Sequence, residues 1–164
     1  MVETPAGQGA PLRLVCFELR GQELALPIGD VRETLPIQPI TRVVLTPSCL
    51  AGVFSLRGDI VPAIDLGVLL GLRRTEVSED SRIVVVGHEG AMIGIVVDRL
   101  RELRTLEQPL EPPPPNLAAE IANMLAGVVV TTSGIVRVLD AHSIINAEPL
   151  RVLAGNPEAE GRTE

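Results

Sequence analysis

The 164-residue sequence contains no Lys, no Trp and no Tyr, and its only aromatic residues are Phe17 and Phe54. All 14 basic residues are Arg, and 21 acidic residues leave a formal net charge of −7. Such a charge repels phosphate, and without Trp or Tyr the chain lacks the aromatic platforms on which single-stranded nucleic acid stacks. We therefore predict that the protein does not bind nucleic acid.

Cysteines and long apolar runs are also scarce. Cys16 and Cys49 lie far apart and belong to no CxxC or Cys/His cluster, so neither a disulfide framework nor a zinc site is indicated. Cys16 falls within an apolar run, which is typical of a buried, inert thiol. The N-terminus lacks the pattern of a secretion signal, and apolar blocks such as 93–97 are far shorter than the ~20 residues of a membrane helix. These features predict a soluble cytoplasmic protein.

Aliphatic residues are abundant instead, because Val, Leu and Ile account for 54 of the 164 residues. A single domain of this length can bury roughly 70% of the surface that its unfolded chain exposes, so a sizeable core is expected. Residues 1–11 and 154–164 are rich in Gly, Pro, Ala and Glu and show no apolar periodicity. We predict flexible tails there, around a folded part that spans residues 12–153.

Inside the folded part, short β-branched runs alternate with Gly and Pro. These runs predict strands at 14–19, 23–28, 53–56, 60–64, 83–86, 92–97, 127–131 and 135–139. Helix signals are few: Asp65 can cap 66–71, Asp140 can cap 141–146, and 117–125 carries apolar residues at helical spacing. The predicted class is mainly β with short helices.

The sequence repeats itself. Residues 13–17 match 82–86, and 31–33 match 100–102, both at a shift of 69 positions. Leu-Ala-Gly-Val at 50–53 then recurs identically at 125–128, a shift of 75, and the pattern at 60–65 is matched in the same way at 135–140. This collinearity indicates an internal duplication, with a first half at about 12–81 and a second at about 82–148.

Each half is a unit of roughly 70 residues, a size at which one core is marginal, so the halves are expected to pack together and depend on each other. Two small paired β-barrels suit this arrangement, because closing a short-stranded sheet removes edges that would otherwise aggregate.

Several polar residues are candidates for a function. Arg57 and Gly58 lie between two apolar strands, so they predict a hairpin whose turn projects a guanidinium at its tip; an ordinary solvated turn is the alternative. Glu33 and Glu102 occupy matching places in the two halves. A solvated strand or turn face is the alternative to a functional role for each of them. His88 falls in a Gly-His-Glu-Gly turn, where an exposed imidazole without a function is expected.

Catalytic and metal-binding patterns are not found in the sequence. His142 has no Cys, second His or carboxylate cluster at ligand spacing, so no metal site is predicted. The glycine-rich segment 87–94 matches neither a phosphate loop nor a dinucleotide fingerprint, and no Ser or Cys has an identifiable base neighbour. The proline run at 112–115 favours a stiff spacer. We expect no catalytic activity and no cofactor.

One stretch of the sequence reads Leu56-Arg57-Gly58-Asp59-Ile60-Val61-Pro62-Ala63-Ile64-Asp65-Leu66. It resembles the CheW-like family, whose commonest signature is Asn-Leu-Arg-Gly-x-Ile-Val-Pro-x-Ile-Asp-Leu. Other segments match in the family's order, namely 24–28 with Val31 and Glu33, 46–47, 52–53, 94–98 and 125–128. The resemblance covers roughly residues 12–148.

The resemblance implies a fold of two small five-stranded barrels packed side by side with some exchange of segments. It further implies a non-catalytic adaptor of bacterial chemosensory arrays. Such an adaptor couples the cytoplasmic tip of chemoreceptors to the regulatory domain of the histidine kinase CheA, and it is recruited to membrane receptor arrays without entering the membrane.

The resemblance also implies two binding surfaces. Receptor binding is expected at an apolar groove formed by Val31, Leu100 and Leu103, beside a charged rim in which Glu33 steers Arg57. The alternative for the three apolar residues is simple core packing. Since an adaptor must hold both partners at once, kinase binding is expected elsewhere on the first barrel, in the 41–49 loop and its neighbouring strand, with Thr41, Val43 and Leu45 as the candidate residues.

The departures from the family pattern concern the partners more than the fold. Ser55 stands where Asn is usual, Thr34 replaces an apolar residue, and the proline run is heavier than usual. A CheW-like scaffold of a divergent pathway, for example one for motility, that binds only receptor or only kinase is therefore the alternative. A ligand-binding or enzymatic β-barrel would need convergent polar groups in a pocket, and the sequence indicates none.

Overall fold

The structure is a computed structural model that describes residues 11–147 and Leu150. The flexible tails predicted at 1–11 and 154–164 lie outside these residues, apart from Pro11. The described part forms ten β-strands: β1 (Leu12–Leu19), β2 (Gln22–Pro27), β3 (Val31–Pro36), β4 (Leu50–Leu56), β5 (Asp59–Asp65), β6 (Arg82–His88), β7 (Ala91–Val97), β8 (Arg99–Leu106), β9 (Leu125–Thr131) and β10 (Gly134–Leu139). It also contains three short α-helices: α1 (Leu66–Leu69), α2 (Ala119–Ala122) and α3 (Ala141–Ile145). None of the helices in this part of the chain is long and apolar enough to cross a membrane.

The strands form two five-stranded sheets, which we call sheet A and sheet B. Sheet A has the order β8-β1-β2-β10-β9, and sheet B has the order β3-β6-β7-β5-β4. Replacing each strand by its counterpart in the other repeat converts one order into the other. The predicted class, mainly β with short helices and two five-stranded units, is confirmed.

Neither sheet is built from one repeat alone. Sheet A takes β1 and β2 from the first repeat and β8, β9 and β10 from the second, whereas sheet B takes the remaining strands. The chain crosses from one sheet to the other at two equivalent points, through the 3-10 helix Ile28–Asp30 before β3 and through Asp98 before β8. The second crossing is held by hydrogen bonds, because Arg20 N–H donates to Asp98 Oδ2 at 2.7 Å and Asp98 N–H donates to Glu18 O at 2.9 Å.

The sheets share one large core. Phe17, Leu24 and Leu26 of sheet A pack in the same buried cluster as Val84 and Ile95 of sheet B, together with residues of α1 and α3. The opposite faces of the same strands line two smaller cores, one for each sheet. The core of sheet B contains Phe54, Val61, Ala63, Ile83, Val85 and Val96. The core of sheet A contains Leu14, Cys16, Ala25, Val136 and Val138.

Cys16 belongs to the small core of sheet A and is fully buried. Burial, with a contribution from the nearby Glu23 charge, raises the pKa of its thiol to about 11. The predicted burial of Cys16 is confirmed, and a thiol with a raised pKa forms little thiolate at neutral pH.

The repeated Leu-Ala-Gly-Val tetrapeptide closes each sheet by the same contact. In sheet B, Val53 exchanges two backbone hydrogen bonds with Thr41. In sheet A, Val128 exchanges two backbone hydrogen bonds with Glu111 in the same way. The preceding glycines allow the approach, because a Cβ at Gly52 would strike the Thr41 carbonyl oxygen and one at Gly127 would lie 2.6 Å from the Glu111 carbonyl oxygen. This close approach of the two backbones explains why both repeats carry Gly at the third position of the tetrapeptide.

The secondary-structure predictions were wrong in three places. Two strands, β3 and β8, were not predicted, because half or more of their side chains are polar and they lie at sheet edges. The helix predicted at 117–125 exists only as α2, since Leu125 instead begins β9 and pairs with Leu139. The predicted caps are present: Asp65 Oδ1 accepts from Val68 N–H, and Asp140 Oδ1 accepts from Ser143 N–H, both at 3.3 Å.

We predict that a fragment ending at Ser81 does not fold cooperatively. It retains the β1–β2 and β4–β5 hairpins, but it lacks β8 beside β1, β10 beside β2, and β6 and β7 between β3 and β5. Isolated hairpins are marginal in water. Circular dichroism should show no sigmoidal thermal transition in the fragment and a clear one in the full chain; a cooperative transition in the fragment would contradict the prediction.

A second prediction concerns the glycine in the closing contact of sheet B. Gly52→Ala should lower the free energy of unfolding by more than ~1 kcal/mol, because the new Cβ meets backbone atoms and Gly52 has a φ of +151°. Gly29→Ala is the matched control, since nothing lies within 4 Å of its Cβ position, and it should be close to neutral. Urea denaturation measures both; equal stabilities of the two variants would show that sheet B tolerates a looser contact.

Candidate functional site

The candidate site lies on the two crossing strands, β3 and β8, which are equivalent in the two repeats and occupy equivalent edges of sheets B and A. Each strand has a register shift at the same place, between Val31 and Glu33 in β3 and opposite the Val15–Phe17 interval of β1 in β8. A β-bulge re-aims the side chains that follow it. Here it allows Val31 to face the core while Glu33 meets a partner at the surface.

Val31 and Leu100 both pack, partly buried, against the core that the two sheets share. They are opposite Val86 and Phe17, respectively, in their ladders. The structure therefore brings these two predicted groove residues to the same core from equivalent strands. Part of each side chain also contributes to core packing, which was the alternative expected for these residues.

Leu103 does not pack against the shared core with Val31 and Leu100. Its side chain is 55% exposed, and it lines an open groove of about 520 Å³ between the edge strands β8 and β9, opposite the 61% exposed Val130. The bulge separates it from Leu100, because Leu100 is paired with Phe17 and Leu103 with Val15. The single groove expected from Val31, Leu100 and Leu103 is thus divided into a seam at the shared core and a separate groove on sheet A.

Arg57 and Glu33 form the predicted pair. Arg57 lies in the β4–β5 turn with a φ of +50°, followed by Gly58 at +91°, a geometry that confirms the predicted hairpin. Its Nη1 and Nη2 atoms donate to Glu33 Oε2 and Oε1 at 2.6 and 2.8 Å, so the contact is bidentate. The Arg57 side chain is 68% exposed and that of Glu33 28%, which places the pair at the surface.

This pair joins opposite edges of sheet B, because β3 is the first strand in the sheet order and β4 the last. The hydrogen bonds from Arg57 lower the pKa of the Glu33 carboxyl. Glu33 therefore remains ionised, and the pair intact, below the pH at which an ordinary glutamate is protonated. Any stability that the pair contributes is present above the ordinary glutamate pKa and is lost as the pH falls through the lowered one.

The equivalent edges of sheet A are not joined in this way. The counterpart of Glu33 is Glu102, whose partner is Arg104 of its own strand at 3.7 Å. The counterpart of Arg57 is Thr132, which carries no charge. The sheet A groove at Leu103 is therefore open at the place where sheet B is closed by the ion pair.

A set of ion pairs on β8 was missed by the sequence reasoning. Arg101 contacts Glu18 at 3.0 Å, Arg104 contacts Glu23 at 3.3 Å, and Arg99 lies between Glu18 and Asp80. These contacts attach β8 to the β1–β2 hairpin. The alternation of Arg in Arg-Leu-Arg-Glu-Leu-Arg was the available signal, but the acidic partners are about 80 residues away in sequence.

The three residues predicted for kinase binding lie in the loop between β3 and β4. Thr41 is committed to the closing contact through its backbone, whereas Val43 is 43% exposed and Leu45 fully exposed. Val44 of the same loop is 81% exposed and completes a run of three exposed aliphatic side chains. Leu45 adopts a φ of +63°, a conformation that is strained for a branched side chain.

Comparison with known proteins agrees with this geometry. The family model for the CheW-like domain matches residues 13–148. The chain is 30% identical to the chemotaxis protein CheW of Helicobacter pylori over 137 residues, 84% of this chain and 83% of that protein. It is 25% identical to the chemotaxis protein CheW of Bacillus subtilis over 137 residues, which span 83% and 88% of the two chains.

A solved structure gives the same result. The scaffolding protein TtCheW from Thermoanaerobacter tengcongensis superposes with a TM-score of 0.75 at 30% identity, over 85% of this chain and 95% of that chain. The family consists of scaffold and adaptor proteins of chemotaxis rather than enzymes. With its family match across the whole folded part and its two interlocked five-stranded sheets, the chain belongs to the CheW-like family.

Proposed function

We propose that the protein couples the cytoplasmic tips of chemoreceptors to the regulatory domain of a CheA-type histidine kinase, as a non-catalytic adaptor in the cytoplasm beneath a membrane receptor array. The observation that carries the proposal is the pair of equivalent strands β3 and β8. They present Val31 and Leu100 at the shared core and, on one side only, the charged Glu33–Arg57 pair.

This arrangement suits the recognition of a helical receptor tip. Helices dock by laying apolar anchors against an apolar seam, and a charged rim then fixes the register. Val31 and Leu100 supply partly exposed apolar surface. Glu33 stands two residues from Val31 on β3, and its pair with Arg57 of the β4–β5 turn supplies the rim. Leu103 extends the apolar surface into the separate sheet A groove.

The kinase-binding surface is proposed for the β3–β4 loop at Thr41, Val43 and Leu45. Three consecutive aliphatic side chains, exposed on a loop that is tied down by the Thr41–Val53 contact, favour contact with another protein over solvent exposure. The loop belongs to sheet B but lies outside the β3 and β8 strands, so both partners could be held at once.

The proposal is tested by measuring the binding of the purified protein to a receptor tip fragment and to the kinase regulatory domain. Each partner is tested separately, and then both are tested together. Binding to both, with a ternary complex in the combined sample, supports the coupling role. Binding to one partner only identifies the scaffold of a divergent pathway, and competition between the partners rules out two separate surfaces.

Charge reversal tests the Glu33–Arg57 rim. Arg57→Glu should weaken receptor binding but leave the melting temperature almost unchanged, because the side chain is exposed and its ion pair is solvated. Glu33→Arg combined with it restores opposite charges and should recover part of the affinity. Arg73→Glu makes the same charge change at an exposed residue outside the proposed site and serves as the control. Full receptor binding by Arg57→Glu would remove the pair from the site.

The role of the β3–β4 loop in kinase binding is tested by a substitution that tolerates the positive φ of Leu45. Leu45→Asn should weaken kinase binding while leaving stability equal or slightly higher, because Asn tolerates positive φ better than Leu and no buried area is lost. Val77→Asn alters another exposed aliphatic residue, 58% exposed in the loop before β6, and should leave binding unchanged. Titration calorimetry with the kinase domain measures both; equal affinities would place the kinase surface elsewhere.

A further inference from the structure

The two histidines of the chain, 54 positions apart in sequence, lie side by side in the structure. The His88 and His142 rings have centroids 4.8 Å apart at an interplanar angle of 67°. His88 ends β6, and His142 is the second residue of α3. The exposure predicted for the His88 imidazole is wrong, because its side chain is only 29% exposed and faces a second imidazole.

A carboxylate completes the group. Glu89 follows His88 in the β6–β7 turn, and its Oε2 lies 3.7 Å from His88 Nε2. His88, Glu89 and His142 each offer one ligand atom, and these three atoms all lie within 4.8 Å of one another. We call these three residues the His-His-Glu cluster. It is distinct from β3, β8 and the β3–β4 loop, so it is independent of the function proposed above.

We propose that the His-His-Glu cluster binds a divalent transition-metal ion, with Zn²⁺ as the representative case. Imidazole nitrogens and a carboxylate oxygen are ligands that Zn²⁺ takes, and three protein ligands with water in the fourth position is a common coordination. Ligand atoms around tetrahedral Zn²⁺ stand roughly 3.4 Å apart, given bond lengths of about 2.1 Å. The 3.7 Å contact is close to this spacing, and the widest separation of 4.8 Å closes by rotation of exposed side chains.

The surroundings favour metal entry and orientation. Asn146 holds the His142 ring, since its side-chain nitrogen lies 3.3 Å from Nδ1 and donates to the His142 carbonyl at 2.9 Å, so Nε2 is the ring nitrogen that Asn146 does not engage. The His142 and Glu89 side chains are both exposed, so solvent ions reach the cluster without any opening of the fold. Glu89 is 77% exposed and can turn toward the metal.

Metal binding here has a structural consequence. The α3 helix follows the last strand of sheet A, yet it packs on the β6–β7 hairpin of sheet B. A metal ion held by His88 and Glu89 on one side and His142 on the other would therefore join the two sheets. Because the ion binds only where the three ligands meet, it should raise the melting temperature, and the increase should grow with the free metal concentration.

The test uses the full-length protein without an affinity tag, stripped of metal and titrated with Zn²⁺ against a chromophoric chelator. The expected result is one equivalent bound, with an affinity that falls roughly tenfold or more in His88→Gln and in His142→Gln, because each change removes a direct ligand. Glu89→Gln should also weaken binding. Glu76→Gln removes the same charge from an exposed residue outside the cluster and should bind as the parent does.

Thermal melting supplies the second readout. Zn²⁺ should raise the melting temperature of the parent protein and of Glu76→Gln, and it should not raise that of His142→Gln, whose exposed side chain can be changed without loss of the fold. The proposal is overturned if the parent protein binds no Zn²⁺, or if His142→Gln binds Zn²⁺ and is stabilised as much as the parent.

Discussion

The burial of both faces of the central strands is the constraint on which the rest of the structure depends. In β6, Val84 and Val86 enter the core between the sheets while Ile83 and Val85 enter the small core of sheet B. In β1, Phe17 and Leu19 face the shared core while Leu14 and Cys16 face that of sheet A. The interior of a unit of ~70 residues is marginal by itself, so we expect the repeats to gain much of their stability from this shared central core.

The exchange of β3 and β8 strengthens that dependence. Each sheet contains an edge strand that reaches it from a hairpin in the other sheet, so the sheets are connected by backbone as well as by packing. This arrangement also places the two crossing strands where the shared core meets solvent. Val31 and Leu100 are half-buried for that reason, and the same reason makes them suitable anchors for a partner.

Divergence between the repeats then makes the pseudo-symmetric frame asymmetric. Sheet B is closed by the bidentate Arg57–Glu33 contact, whereas sheet A, with Thr132 and Glu102 at the equivalent positions, has an open groove. The charged residues of β8 turn instead to Glu18 and Glu23 of the β1–β2 hairpin. One duplicated frame therefore presents different edges in its two sheets.

The sequence by itself determined the features that depend on near neighbours along the chain. Short β-branched runs between Gly and Pro located eight strands, the Asp65 and Asp140 caps located two helices, and the repeated Leu-Ala-Gly-Val indicated the duplication. The family signature around Arg57 located the hairpin that the structure contains. These features are local because turn geometry, capping and alternation act within a few residues.

The tertiary structure decided what depends on residues far apart. The strands β3 and β8 exist because β6 and β1 of the other repeat pair with them, and their own composition resembles a solvated loop. Leu103 is separated from Leu100 by a bulge that no local pattern announces. His88 and His142 meet only because α3 packs against the hairpin of the other sheet. In each case the energy of a contact is gained only after the chain has crossed between the sheets, so no short stretch of sequence encodes it.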